Sequence, residues 1–208
     1  CGATGRLSIL LEAMWRDCCR RHDFERYSDQ VQSIMTGGDF ALVKSVESFE
    51  DYAIFGARQV ADMEMTAADL LVAITEGGET SSVLGTVAEA AKRGCRGFLL
   101  FNNPAELLAE HLERSREAIQ NPAVTVLDLS CGPMALAGST RMQATTSEQL
   151  VASCALELIF RHLTRDTDSE PDFVAAFDML LDELASDAAG RGMADYIDFE
   201  LAIYQEQG

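Results

Sequence analysis

Short apolar runs that alternate with longer stretches of helical periodicity constrain this chain more than any other feature. Residues 70–74 read Leu-Leu-Val-Ala-Ile, 97–101 read Gly-Phe-Leu-Leu-Phe and 123–127 read Ala-Val-Thr-Val-Leu. Each run is short enough for a strand, and each is followed by a Gly-, Asn- or Ser-containing turn. Strands that alternate with helical segments belong to βαβ units and a parallel sheet. The same reading places a short strand at 32–36 and helices at 7–19, 40–47, 50–63, 80–92 and 105–120. Thr80 or Ser81 is a plausible N-cap for the 80–92 helix. Gly138-Ser139-Thr140-Arg141-Met142 opens a long helix that runs to about Leu163, and two further helices are expected at 173–189 and 193–205.

Composition narrows the class of function. The formal net charge is −18, and a surface this acidic repels phosphate backbones, which argues against nucleic acid as a partner. An anionic small molecule then needs a local positive site made from backbone N–H groups, helix N-termini or a placed Arg. No apolar stretch approaches the roughly 18 residues of a membrane span, so no membrane partner is expected. Cys1, Cys18, Cys19, Cys95, Cys131 and Cys154 show neither metal-ligand nor disulfide spacing. They read as buried reduced thiols of a cytoplasmic protein, and no metal and no cofactor is expected. His22, His111 and His162 sit in charged helical contexts and read as surface residues, while Trp15 and Met142 read as core. The chain begins with Cys1 rather than Met, and its first five residues read as the interior of a loop, so a longer protein is expected.

Four loops carry Gly or hydroxyl residues into the starts of helices, at 2–6, 36–39, 75–82 and 137–145. In open α/β sheets a ligand binds at the carboxyl ends of the strands, where exposed N–H groups hold an anion. The four loops are therefore expected to converge on one small-molecule crevice.

The residues of these loops resemble a known family. Gly2-Ala3-Thr4-Gly5-Arg6 is similar to the Gly-Thr-Ser-Gly-Arg loop of the sugar isomerase (SIS) domains found in N-acetylmuramic acid 6-phosphate etherases and glucokinase regulatory proteins. Thr36-Gly37-Gly38-Asp39 looks like their Ala-Gly-Gly-Glu/Asp turn, and Val46-Glu47-Ser48-Phe49-Glu50-Asp51 like their Val-Glu-Gly-x-Glu-Asp segment. Asn103-Pro104 and Gly138-Ser139-Thr140-Arg141-Met142 match their Asn-Pro and Gly-Ser-Ser-Arg-Met. The five matches keep their order from residue 1 to about 150. The resemblance implies a three-layer α/β/α parallel sheet of flavodoxin-like topology. It places the fold's first strand before Cys1 and adds a helical C-terminal extension. It implies an SIS domain at 1–163, a linker at 164–172 and a helical segment at 173–208 that leads toward a second SIS domain.

The resemblance also implies where a sugar phosphate would sit. The candidate ligand-binding residues are Ala3, Thr4, Gly5, Gly38, Glu50, Gly77, Gly78, Thr80, Ser81, Ser139 and Thr140. Etherase chemistry needs two acid/base groups on either side of the reacting carbons. Glu50 matches one of them, but the second falls on Met14, whose thioether transfers no proton. Glu12 lies two residues away, about 200° around a helix, and faces elsewhere. Gly77-Gly78-Glu79-Thr80 replaces the family's Ser-Gly-Arg-Thr, so a donor is lost and a cation becomes an anion, with Glu76 adding to the local repulsion. Glu47 reads as solvated. Arg141 either closes its loop by hydrogen bonding or contacts ligand.

Three readings follow. The first is a sugar-phosphate-binding sensor or regulatory module, with a regulated protein partner and homodimeric or tandem SIS pairing. The second is an etherase-like carbon–oxygen lyase of amino-sugar metabolism in which Glu50 is catalytic. The third is a structural or oligomerisation domain whose site has decayed.

Overall fold

A computed structural model describes residues 3–44, 48–165 and 171–206. Cys1, Gly2, Val46, Glu47, the 166–170 part of the expected linker and residues 207–208 lie outside the described residues. Three strands form one parallel sheet: β1 (Leu70–Ile74), β2 (Arg96–Phe101) and β3 (Val124–Asp128), in the order β1-β2-β3. Leu70 pairs with Arg96, and Gly97 pairs with Val124. The helices are α1 (Ala3–Arg21), α2 (Phe40–Val43), α3 (Ala53–Asp62), α4 (Ser81–Lys92), α5 (Ala105–His111), α6 (Glu113–Ile119), α7 (Gln143–Thr164), α8 (Phe173–Leu184) and α9 (Asp187–Glu206).

Alternation along the strands sorts the helices into two layers. Leu71 and Ala73 of β1, with Leu99 and Phe101 of β2, pack with Val60 of α3, Leu84 and Val87 of α4, Leu108 of α5 and Ala118 of α6. Ile74 points the other way and packs with Leu7 and Leu11 of α1 and Ala152 and Leu156 of α7. The architecture is therefore helices on both faces of a parallel sheet, an α/β fold. On that second face Leu70 and Val72 remain 51% and 47% exposed.

The closest helix contact is between α3 and α4, and glycine makes it possible. A Cβ on Gly56 would lie 1.8 Å from the Ser82 carbonyl oxygen, and one on Gly85 would lie 2.0 Å from that of Ala53. Backbone rests on backbone at both points. This fixes the residues that precede α3 against the N-terminal end of α4.

Several expected elements differ. The first helix starts at Ala3, so the expected loop at 2–6 is helical from there, and Gly5 sits where a Cβ would come 2.7 Å from Met35 Cγ. Residues 32–36 are not a strand, because side chains take their backbone groups: Ser33 N–H donates to Glu12, the Ser8 hydroxyl to the Ile34 carbonyl, and the Gln59 amide to the Met35 carbonyl. The 40–47 helix is described only as α2. The 50–63 helix is a left-handed Ser48, a 3-10 turn at Phe49–Asp51 and then α3, with Phe49 stacked on Phe55 at 4.9 Å. The 105–120 helix breaks at an extended Leu112, where the Arg116 guanidinium bonds the carbonyls of Ala109 and Glu110 that end α5. At the C-terminal end α9 begins at Asp187, because the Ser186 hydroxyl accepts from Ala189 N–H, and Gly190 and Gly192 lie inside the helix.

Met142 is 60% exposed and not core, since it lies in the turn just before α7; Trp15 is 4% exposed and donates to the Tyr27 carbonyl. Cys19 and Cys95 are buried, but Cys18 and Cys131 are exposed free thiols. The described chain divides into two compact units, Cys1–Leu156 and Glu157–Gly208. In the second, Asp172 caps α8 by accepting from Ala175 N–H, and neither α8 nor α9 buries a residue. Among the described residues no helix is long and apolar enough to cross a membrane.

Candidate functional site

The carboxyl ends of β1 and β2 gather the four loops through identifiable contacts. Thr36 Oγ1 and Ser82 Oγ lie 2.8 Å apart in the interior, which joins the 36–39 turn to the start of α4. Gly5 in the first turn of α1 abuts Met35, whose carbonyl accepts from Gly38 N–H at 2.9 Å. Thr140 Oγ1 and Thr145 Oγ1 donate to the two carboxylate oxygens of Glu76 at 2.6 and 2.8 Å, which docks the segment before α7 on the turn after β1.

Within that turn Gly78 has φ +74°, and a Cβ there would lie 2.5 Å from Leu108 Cδ1, so both conformation and space require glycine. Its N–H donates to the Thr75 carbonyl, and its own carbonyl accepts from Ser115. Gly77 is held by Asn103, which donates to its carbonyl. Thr80 occupies the N-cap position of α4, but its hydroxyl pairs with Thr75 Oγ1 at 2.8 Å and makes no cap bond. Ser81, half-buried, is the first residue of that helix. Gly38 has φ +58° and open space around the position of a Cβ. Ser139 N–H donates to the Leu136 carbonyl, Ser139 and Thr140 are half-buried, and Arg141 is exposed. Ala3 and Thr4 lie with Gly5 in the first turn of α1.

Glu50 lies in the 3-10 turn before α3. It is half-buried, and its Oε2 is shut off from solvent with no hydrogen-bond partner among the described residues. A buried carboxylate oxygen that lacks a donor is costly, by about 1–3 kcal/mol, until one arrives. Glu12 serves elsewhere. It accepts from the Ser33 hydroxyl at 2.6 Å and from Arg16 at 3.0 Å. Burial raises its pKa, but the Ser33 bonds and Arg16 outweigh burial and hold it below the usual carboxylate range. Met14 is 46% exposed. Glu79 is loosely paired with Arg114 at 3.9 Å on the surface. Among the described residues no three His, Cys, Asp or Glu side chains cluster as metal ligands.

One residue of the cluster escaped the reading of the sequence. Glu148 on α7 is fully buried, with Oε1 accepting from Asn102 Nδ2 at 3.1 Å and Oε2 unpartnered. Burial, and after it the charge of Glu76, pushes its pKa up to about 8. The signal was there: Ala144, Glu148 and Ala152 share a helix face at spacings of four, and the two alanines are core.

Residues 1–91 match the family model of the glucokinase regulatory protein N-terminal SIS domain. Curated relatives include the N-acetylmuramic acid 6-phosphate etherases of Yersinia pestis (strain Pestoides F) and Yersinia pseudotuberculosis serotype O:1b (strain IP 31758). Each is 36% identical over 150 residues, which is 72% of this chain and 45% of the relative. The matched stretch thus takes in under half of the length of those relatives.

Proposed function

Because the chain belongs to the SIS family, close to both the glucokinase regulatory proteins and the N-acetylmuramic acid 6-phosphate etherases, we propose that it binds a sugar phosphate at the carboxyl ends of β1 and β2 and acts as a sensor rather than an enzyme. In this reading the phosphate lies against the first turn of α1 at Ala3–Gly5, the Gly38 turn and the loop Gly77–Ser81 that opens α4, with Ser139 and Thr140 closing over it. Glu50 orients the sugar by accepting from its hydroxyls. The observation that carries the reading is Glu50 itself: a carboxylate oxygen buried without a donor, beside α4, is a receptor for a hydroxyl. The absence of catalysis follows from Met14, a thioether at the position that the family resemblance gives to the second acid/base group. A regulated protein partner, and pairing with a second SIS domain in a homodimer or in tandem, belong to the same proposal.

A thermal-shift screen with fructose 6-phosphate, fructose 1-phosphate and N-acetylmuramic acid 6-phosphate tests it. A ligand at about 100 times its Kd adds about 2.7 kcal/mol to stability. One sugar phosphate is expected to raise the melting temperature, and Glu50→Gln to reduce that rise. No rise with any of the three refutes the reading and favours a decayed site. The etherase reading has one observation in its favour, the likeness to curated N-acetylmuramic acid 6-phosphate etherases. Lactate release from N-acetylmuramic acid 6-phosphate by the unmodified protein would establish it, with Glu50 as the acid/base residue.

A further inference from the structure

Glu148 lies on α7, outside the four loops, yet it is tied to two of them. Its Oε1 accepts from Asn102 Nδ2, and the same nitrogen reaches the Ala144 carbonyl at 3.4 Å. Asn102 Oδ1 accepts from Ser147 Oγ at 2.7 Å. The Asn102 backbone N–H donates to the Glu76 carbonyl at 3.0 Å, so β2's end is bonded to the turn after β1. The Glu76 carboxylate in turn holds Thr140 and Thr145. The chain of contacts therefore runs from Glu148 through Asn102 and Glu76 to the segment that carries Ser139 and Thr140.

Two carboxyl groups stand in this cluster, and among the described residues no Lys or Arg ion pair reaches either of them. The groups around Glu148 are otherwise uncharged. Asn102 and the neighbouring Cys131 thiol, 3.9 Å from Asn102 Oδ1, approach from the ends of the strands. On α7 itself the neighbours are hydroxyls and a backbone carbonyl, and the α1 face toward α7 is apolar, with Leu7 and Leu11. Glu76 is the charged group that faces it.

We propose that Glu148 is a positioning residue for the ligand site: through Asn102 and Glu76 it clamps the Ser139–Thr140 segment onto the turn after β1, and the clamp loosens when Glu76 and Glu148 both carry a charge. The proposal rests on the sugar-phosphate reading only in naming what the clamped segment closes over. At neutral pH burial keeps a proton on Glu148, while the Glu76 carboxyl oxygens accept from the hydroxyls of Thr140 and Thr145. As pH rises through about 8 that proton is lost, and a buried charge on Glu148 then faces the half-buried Glu76 carboxyl across Asn102.

The test follows the pH profile of the full protein, wild type against Glu148→Gln, which keeps an acceptor for Asn102 but cannot ionise. Fructose 6-phosphate affinity, measured calorimetrically from pH 6.5 to 9.5, is expected to fall in the wild type by up to about tenfold per pH unit above 8 and to stay flat in the variant. Amide hydrogen exchange at 138–142 without ligand, corrected for intrinsic base catalysis, is expected to accelerate over the same range in the wild type alone. Identical pH profiles in the two proteins overturn the clamp. Failure of fructose 6-phosphate to bind at any pH, with exchange still diverging as described, leaves the clamp standing and counts against the ligand instead.

Discussion

Thr36 Oγ1 and Ser82 Oγ lie 2.8 Å apart, and both residues are almost entirely removed from solvent, at 8% and 0% exposure. This hydroxyl pair joins the Gly37-Gly38 turn to the start of α4, so it fixes one wall of the proposed site to another. Removing either hydroxyl takes a buried hydrogen bond away from the other, which costs about 1–3 kcal/mol. Ser82→Ala and Thr36→Val are each expected to lower stability by that order in urea unfolding. The double variant is expected to cost less than the sum of the two.

The contact between α3 and α4 gives a sharper contrast. Gly56→Ala and Gly85→Ala each force a Cβ into a carbonyl oxygen at about 2 Å or less. Over-packing of this kind costs roughly 1–3 kcal/mol and sometimes more, and here it also moves Glu50 away from α4. Gly190→Ala, inside α9 with nothing within 4 Å of the new methyl, is expected to stabilise its helix by about 0.5–1 kcal/mol. Circular-dichroism melts of the three variants check the order.

Glu148 predicts a pH dependence of stability with a definite sign. Its folded pKa is raised to about 8 from an ordinary 4.5. Below about pH 4.5 it is protonated in both states and contributes no slope. Between 4.5 and 8 the unfolded chain is ionised there and the folded protein is not, so stability falls as pH rises, by about 1.4 kcal/mol per unit at most. Above 8 the slope vanishes. Subtracting the Glu148→Gln profile isolates this from the other carboxylates, and a flat difference between pH 5 and 8 would refute it.

How far the sequence revealed this molecule depended on whether each signal was local. The strands at 70–74, 97–101 and 123–127 are apolar runs bounded by turn residues, and they fold where their composition puts them. Residues 32–36 have the same look, but Glu12, Ser8 and Gln59 reach in from other elements and take their backbone bonds, which no local pattern announces. Serine 186, not the Gly190–Gly192 pair, divides the last two helices, because a capping hydroxyl acts on N–H groups that glycine leaves unsatisfied. Loops 36–39, 75–82 and 137–145 announced their positions through glycines and hydroxyls. Glu148 announced only its burial, through the face it shares with Ala144 and Ala152; that it meets Asn102 and Glu76, remote in sequence, no local pattern gives.

Met14 offers a gain-of-function test. It is half exposed, so Met14→Glu is expected to change stability by no more than about 0.5 kcal/mol. If the rest of the site follows the family's arrangement, the variant gains measurable lactate release from N-acetylmuramic acid 6-phosphate where the wild type has none. Coupled detection of lactate over hours provides the readout.

The most direct test of the central claim, a sugar-phosphate site that binds without turnover, is a phosphorus NMR titration. Fructose 6-phosphate, fructose 1-phosphate and N-acetylmuramic acid 6-phosphate are each followed with increasing protein, wild type and Glu50→Gln. The account predicts that one phosphate resonance shifts or broadens with wild type, does so less with Glu50→Gln, and that no product resonance grows. Three unperturbed resonances, or a growing product signal with the wild type, would contradict it.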